Sequence, residues 1–142
     1  PAMSRTSRVA MIKRVTTGEG VGYGLTFRPT EDHVVALVPI GYGDGVLRAL
    51  SNCGEVIIRG KRRPMVGRVS MDSFAVDLGD NADMVKPGDI VTLIGSEGAA
   101  NISTEEVARW AGTINYEISC AVKLRRAERV FRDEAVGTET QP

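Results

Sequence analysis

Apolar and polar positions alternate in short bursts along most of this chain, and glycine, proline and asparagine separate the bursts. Ser7 to Val15 carries Val9, Met11, Ile12 and Val15 before Thr16-Thr17-Gly18-Glu19-Gly20 breaks the pattern, which predicts a strand. Val34-Val35-Ala36-Leu37-Val38-Pro39-Ile40 is a continuous, β-branched apolar run, as expected of a strand buried on both faces, and Gly41-Tyr42-Gly43-Asp44-Gly45 ends it. Val46 to Leu50 is too short for a free-standing helix and predicts a single turn before Ser51-Asn52. Glu55 to Arg59 and Arg62 to Val69 flank Arg59-Gly60-Lys61 as the arms of a hairpin. The period of two in Ser73 to Leu78 puts Phe74 and Val76 on one face. Lys86-Pro87-Gly88-Asp89 reads as a turn, because proline presets φ and glycine supplies a positive φ, and a strand from Asp89 to Ile94 follows.

The helix period is clear once. Ser103-Thr104-Glu105-Glu106 has the spacing of a capping box, Val107, Ala108, Trp110 and Ala111 follow, and Gly112 stops the pattern. Val130-Phe131-Arg132 predicts a short last strand and Asp133 to Pro142 a polar tail. Many short strands between Gly/Pro turns, with one short helix, predict an all-β fold: a small β-barrel or sandwich in one domain.

Composition narrows the reading. At 142 residues, 42% hydrophobic and 25% charged, the chain fits one globular domain without repeats or interior linkers. Eighteen Lys+Arg against eighteen Asp+Glu leave no net positive field for a phosphate backbone, which argues against nucleic acid as a partner. No apolar run approaches the roughly 20 residues that span a bilayer, and no signal peptide follows the start, so the expected location is the cytoplasm and no membrane partner is expected. Pro1 in place of methionine points to a cut end with something missing upstream. Two cysteines, Cys53 and Cys120, and the single His33 make a poor metal site, and none is expected.

Candidate chemistry is sparse. Dinucleotide and P-loop glycine patterns are absent, and His33 beside Asp32 reads as a surface histidine. Gly41-Tyr42-Gly43-Asp44-Gly45 reads as a glycine-rich turn in which Asp44 bonds its own backbone; its alternative is Tyr42 held at a pocket mouth. Val21-Gly22-Tyr23-Gly24 poses the same choice for Tyr23, although a phenol with a pKa near 10 is a poor base at neutral pH unless cations lower it. In Gly67-Arg68-Val69-Ser70-Met71-Asp72-Ser73, Arg68 and Asp72 could form a surface ion pair and Met71 fill the core, or the cluster could face a ligand. Asn115-Tyr116-Glu117 fits a turn after the helix, and the basic run from Arg59 to Arg63 a solvated hairpin tip.

The order of these motifs is more specific than any one of them. Val21-Gly22-Tyr23-Gly24, Pro39-Ile40-Gly41-Tyr42-Gly43-Asp44-Gly45 with Arg48, Pro64-Met65-Val66-Gly67-Arg68-Val69-Ser70-Met71-Asp72, Lys86-Pro87-Gly88-Asp89, Ile114-Asn115-Tyr116-Glu117 and Arg129-Val130-Phe131 occur in series. From about Ser4 to Arg132 this series resembles the C-terminal domain of alanine racemase, the pyridoxal-phosphate isomerase that interconverts L- and D-alanine and supplies D-alanine for peptidoglycan. The resemblance implies a homodimer in which an N-terminal α/β barrel, carrying the cofactor lysine, shares each active site with the β-domain of the other subunit. It implies that Tyr23 is the catalytic tyrosine, one of two bases, and that the Met71 backbone amide, with Ser70 and Asp72 beside it, faces the substrate carboxylate. Tyr116 resembles the tyrosine that bonds the cofactor phosphate, and Tyr42, Arg48, Arg68 and Ile114 resemble the lining of the substrate corridor.

Departures from the family pattern are Ser70 where cysteine is frequent, Gly43 where alanine is common, and Glu128 where many members have proline. Lys13, Lys61, Lys86 and Lys123 all lack the context of a cofactor lysine, so the cofactor is expected mainly on the absent barrel and the chain alone is expected to be inactive. A related serine or broad-specificity racemase domain and a non-catalytic β-barrel interaction module are the alternatives.

Overall fold

In the computed structural model, residues 4–16 and 31–113 are described. They form eight strands, β1 (Arg5–Arg8), β2 (Met11–Val15), β3 (His33–Val38), β4 (Glu55–Ile58), β5 (Lys61–Val66), β6 (Phe74–Asp77), β7 (Ile90–Glu97) and β8 (Ala100–Ile102), and one helix, α1 (Thr104–Ala111). All ladders are antiparallel, in the order β1-β7-β4-β5-β6-β3-β2, with β8 added to β7. The fold is therefore all-β with one short helix, as the pattern predicts, and the sheet is not closed.

The strand expected over Ser7 to Val15 is in fact two. Val9 is buried in the core, and its N–H donates to Asp89 O (2.9 Å) while the next N–H, of Ala10, donates to Leu37 O (2.8 Å). The chain thus leaves β7 and joins β3 within two residues, a switch that apolar spacing does not reveal. Because β1 and β2 end the sheet at opposite sides yet lie only three residues apart, at most about 10 Å of chain, the sheet must wrap round on itself.

Side-chain alternation then sorts the strands into two faces. Val34, Ala36 and Val38 of β3 and Phe74 and Val76 of β6 join Val56, Ile57, Ile58 and Val91 in the main core. Val15, Val35, Val66 and Ala75 form a second buried cluster on the opposite face, so β3 is buried on both faces as its unbroken apolar run implies. The predicted hairpin closes on Arg59 (φ 55°) and Gly60 (φ 74°), two consecutive left-handed residues that match the twist of β4 and β5. Beyond the expected end at Ile94, β7 continues through Gly95 into a hairpin with β8. Ser103 caps α1, its Oγ accepting from Glu106 N (3.1 Å), and Gly112 ends it in the left-handed region. The Glu106 carboxylate does not complete the capping box from its side; it pairs with Arg62 (2.7 Å), which also stacks 6.0 Å from the Trp110 ring centroid and ties α1 to the hairpin. No described helix is long and apolar enough to cross a membrane.

Candidate functional site

At one end of the sheet three loops meet. The first runs from Gly41 through a 3-10 turn, Tyr42–Asp44, directly after β3. Its backbone lies against the loop after β5: Tyr42 N–H donates to Ser70 O (2.9 Å) and Gly43 N–H to Met71 O (2.9 Å). Only glycine fits at position 41, where a Cβ would stand 2.1 Å from Ser70 O and 2.7 Å from the Met71 carbonyl. Asp44 is 1% exposed; its Oδ2 accepts from Gly41 N (3.0 Å), so it does bond its own loop.

The third loop, Ser51 to Cys53, follows a 3-10 turn at Arg48–Leu50. Ser51 Oγ donates to Arg48 O (2.6 Å) and accepts from Val69 N (2.9 Å). Asn52, itself left-handed at φ 61°, accepts from Gly67 N through Oδ1 (2.7 Å). These two side chains hold the segment bearing Arg48 against the one bearing Arg68. Ser70 closes its own turn on Ser73, accepting from Ser73 N (3.2 Å) and donating to Ser73 O (3.0 Å), which spends its hydroxyl inside the loop.

What this scaffold presents outward is Tyr42 at 42% exposure and Met71 at 48%, with Arg48, Arg68 and Asp72 exposed around them. Met71 is therefore not core filler. The Arg48 guanidinium lies 5.4 Å from the Tyr42 ring centroid, a cation–π contact that orients the ring and leaves the charge at the surface. Met71 offers its carbonyl to Gly43, while its N–H donates to none of the described residues. An amide N–H of this kind, on loops that also carry two exposed arginines, is suited to a small carboxylate.

The structure thus brings together Tyr42, Arg48, Arg68, Ser70, Met71 and Asp72 from the predicted site. Tyr23, Ile114 and Tyr116 lie outside the described residues, as do the last strand expected at Val130 to Arg132 and the polar tail. Asp44, Ser51 and Asn52, which hold the loops in place, carry no catalytic signature; their only signal is the turn chemistry of Asp, Ser and Asn next to glycine. His33 sits elsewhere, on the second face, with Nδ1 2.7 Å from Asp77 Oδ1. Among the described residues no three His, Cys, Asp or Glu side chains gather as a metal site. The basic run at the hairpin tip is only partly solvated, since Arg63 is 8% exposed and bonds Ile58 O and Asp83 Oδ2.

Residues 2–131 match the family described as alanine racemase, C-terminal domain. The chain belongs to that family. It is 46% identical over 125 residues to the alanine racemase of Cutibacterium acnes, covering 88% of this chain and 33% of that protein. With alanine racemase 2 of Bacillus subtilis it shares 42% identity over 143 residues, covering 100% of this chain and 36% of the relative. In three dimensions it matches the Bacillus anthracis alanine racemase crystallised with L-Ala-P, with a TM-score of 0.82 at 46% identity over 88% of this chain and 31% of that one. The Bartonella henselae alanine racemase with covalently bound pyridoxal phosphate matches with a TM-score of 0.78 at 34% identity, over 84% of this chain and 32% of that one. The chain spans about a third of the length of these relatives.

Proposed function

We propose that this chain, residues 1–142, is the C-terminal domain of a two-domain, pyridoxal-phosphate-dependent alanine racemase, and that it completes an active site on the N-terminal barrel of a second subunit. The observation that carries this reading is the exposed pair Tyr42 and Met71, held on closely packed, hydrogen-bonded backbone, with the Met71 N–H pointing to no acceptor in its own described fold. Groups fixed this firmly and left uncovered fit a site whose other half lies on another domain.

The described lysines do not fit covalent attachment of the cofactor. Lys61 and Lys86 are exposed and paired with Asp83 and Asp89 at 3.1 Å, and Lys13 is exposed on β2. In this reading the cofactor is held mainly by the barrel, with Tyr116 bonding its phosphate, and when bound it supplies an electron sink for a carbanion. The steps left to this chain are proton transfer, positioning and selection. Tyr23 removes or returns the substrate Cα proton on one face, because inversion needs a base on each side of the carbon and a lysine of the barrel can serve only the other. The Met71 amide, with Ser70 and Asp72 beside it, orients the substrate carboxylate. Arg48 and Arg68 draw that carboxylate in, and Tyr42 with Ile114 narrows the corridor against larger side chains.

The test is Tyr23→Phe in the full-length enzyme, followed by Cα proton exchange with each enantiomer in deuterated water. Exchange with one enantiomer should fall by about 100-fold or more, and with the other far less. Equal losses, or none, would show that Tyr23 is not a stereospecific base.

A further inference from the structure

Arg5 lies on β1, an outer strand of the sheet, 39 residues from Asp44 in sequence, and its Nη2 donates to Asp44 O at 2.6 Å. The guanidinium reaches this carbonyl through a cavity that is otherwise mostly apolar, walled by Val46, Leu47, Leu50, Met65 and Trp110, with one carboxylate, Glu55, which pairs with Arg62. Nothing in the strand itself calls for a cation there. A charge placed among apolar side chains is unfavourable unless a partner compensates it, and the partner here is the backbone of the loop that carries Tyr42. Burial lowers the Arg5 pKa, and attraction to the buried Asp44 carboxylate offsets that only in part.

We propose that Arg5 is a positioning residue for the Tyr42 loop, anchoring it to the sheet from behind through the Asp44 carbonyl. The loop is then held on two sides. In front, the Tyr42 and Gly43 amides bond Ser70 O and Met71 O; behind, Arg5 fixes the far end of the same turn. Without the rear anchor the 3-10 turn keeps its internal bonds but can tilt as a unit, taking the Tyr42 ring out of register with Arg48 and Met71. A functional effect on substrate access rests on the corridor role proposed for Tyr42; the anchoring itself does not.

Two measurements on the full-length protein containing this chain separate these layers. In Arg5→Met, hydrogen exchange at the Tyr42 and Gly43 amides should accelerate about tenfold relative to β4 and β5 amides as internal controls, and Arg5→Lys should restore most of the protection. Arg5→Gln, which keeps a donor, provides a milder version of the same test with an acceleration of about threefold. Uniform acceleration through the domain, or none at the loop, would overturn the anchor. In the same Arg5→Met protein the KM for alanine should rise about three- to tenfold with kcat within about twofold. Loop loosening with an unchanged KM would leave the anchor in place and overturn the corridor role of Tyr42.

Discussion

Gly41 and Gly60 are required for opposite reasons. Gly41 has ordinary extended backbone (φ −149°) but no room, since a Cβ would meet the Ser70 carbonyl at 2.1 Å, and both partners are backbone held by further bonds. Gly60 has room on every side but sits at φ 74° in the hairpin. Gly41→Ala should therefore cost about 3 kcal/mol through overpacking and displace the Met71 loop. Gly60→Ala should cost about 1 kcal/mol through backbone strain alone. Chemical denaturation of the two variants checks this, and equal losses would contradict the steric reading of Gly41. This difference was not legible in the sequence, where each is simply a glycine in a turn, Gly41 between Ile40 and Tyr42 and Gly60 between Arg59 and Lys61. Only the approach of a loop 30 residues further on separates them.

The turn that feeds β7 shows how elements are held where the chain changes direction. Asp89 Oδ2 accepts from Lys86 N (3.0 Å), Lys86 Nζ and Arg59 Nε add contacts at 3.1 Å, and the Asp89 carbonyl accepts from Val9 at the point where β1 gives way to β2. The Lys86 backbone bond above all, then the Lys86 and Arg59 side chains, bring the Asp89 carboxyl from 3.8 down to about 2. A depressed carboxyl contributes stability that is present above its unfolded pKa and lost as pH falls through its folded one. Acid unfolding should accordingly steepen between about pH 4 and 2, and Asp89→Asn should flatten that limb while lowering stability at neutral pH. An unchanged acid limb would contradict the assignment. At this scale the sequence was informative where chemistry is local: the Lys86 to Asp89 turn, the Ser103 cap and the two-faced burial of β3 all follow from neighbouring residues. The sheet switch at Val9-Ala10 and the β7–β8 hairpin were not legible. The first depends on partners some 30 and 80 residues away, and the second lacks a strong apolar alternation.

Across the whole molecule, motif order was legible before any geometry, because Tyr42, Arg48, Arg68 and Met71 sit in recognisable strings. Their convergence was not, since it rests on ordinary turn residues: Asp44 closes its own loop, Ser51 and Asn52 tie a second loop to the segment bearing Arg68, and the Tyr42 and Gly43 amides join the loops through backbone. The assembled end of the sheet is rigid behind and uncovered in front, which is the form expected of half a site. That the other half lies on a second subunit can be tested by mixing two inactive full-length variants. One carries Tyr23→Phe with an intact barrel, the other an intact Tyr23 with its barrel cofactor lysine replaced by alanine. If each site uses the barrel of one subunit and this domain of the other, every mixed dimer contains one intact site, and random pairing should restore about a quarter of wild-type racemisation. If barrel and Tyr23 of the same subunit made the site, no pairing could rebuild one, and activity that stayed at the level of the separate variants would contradict the account.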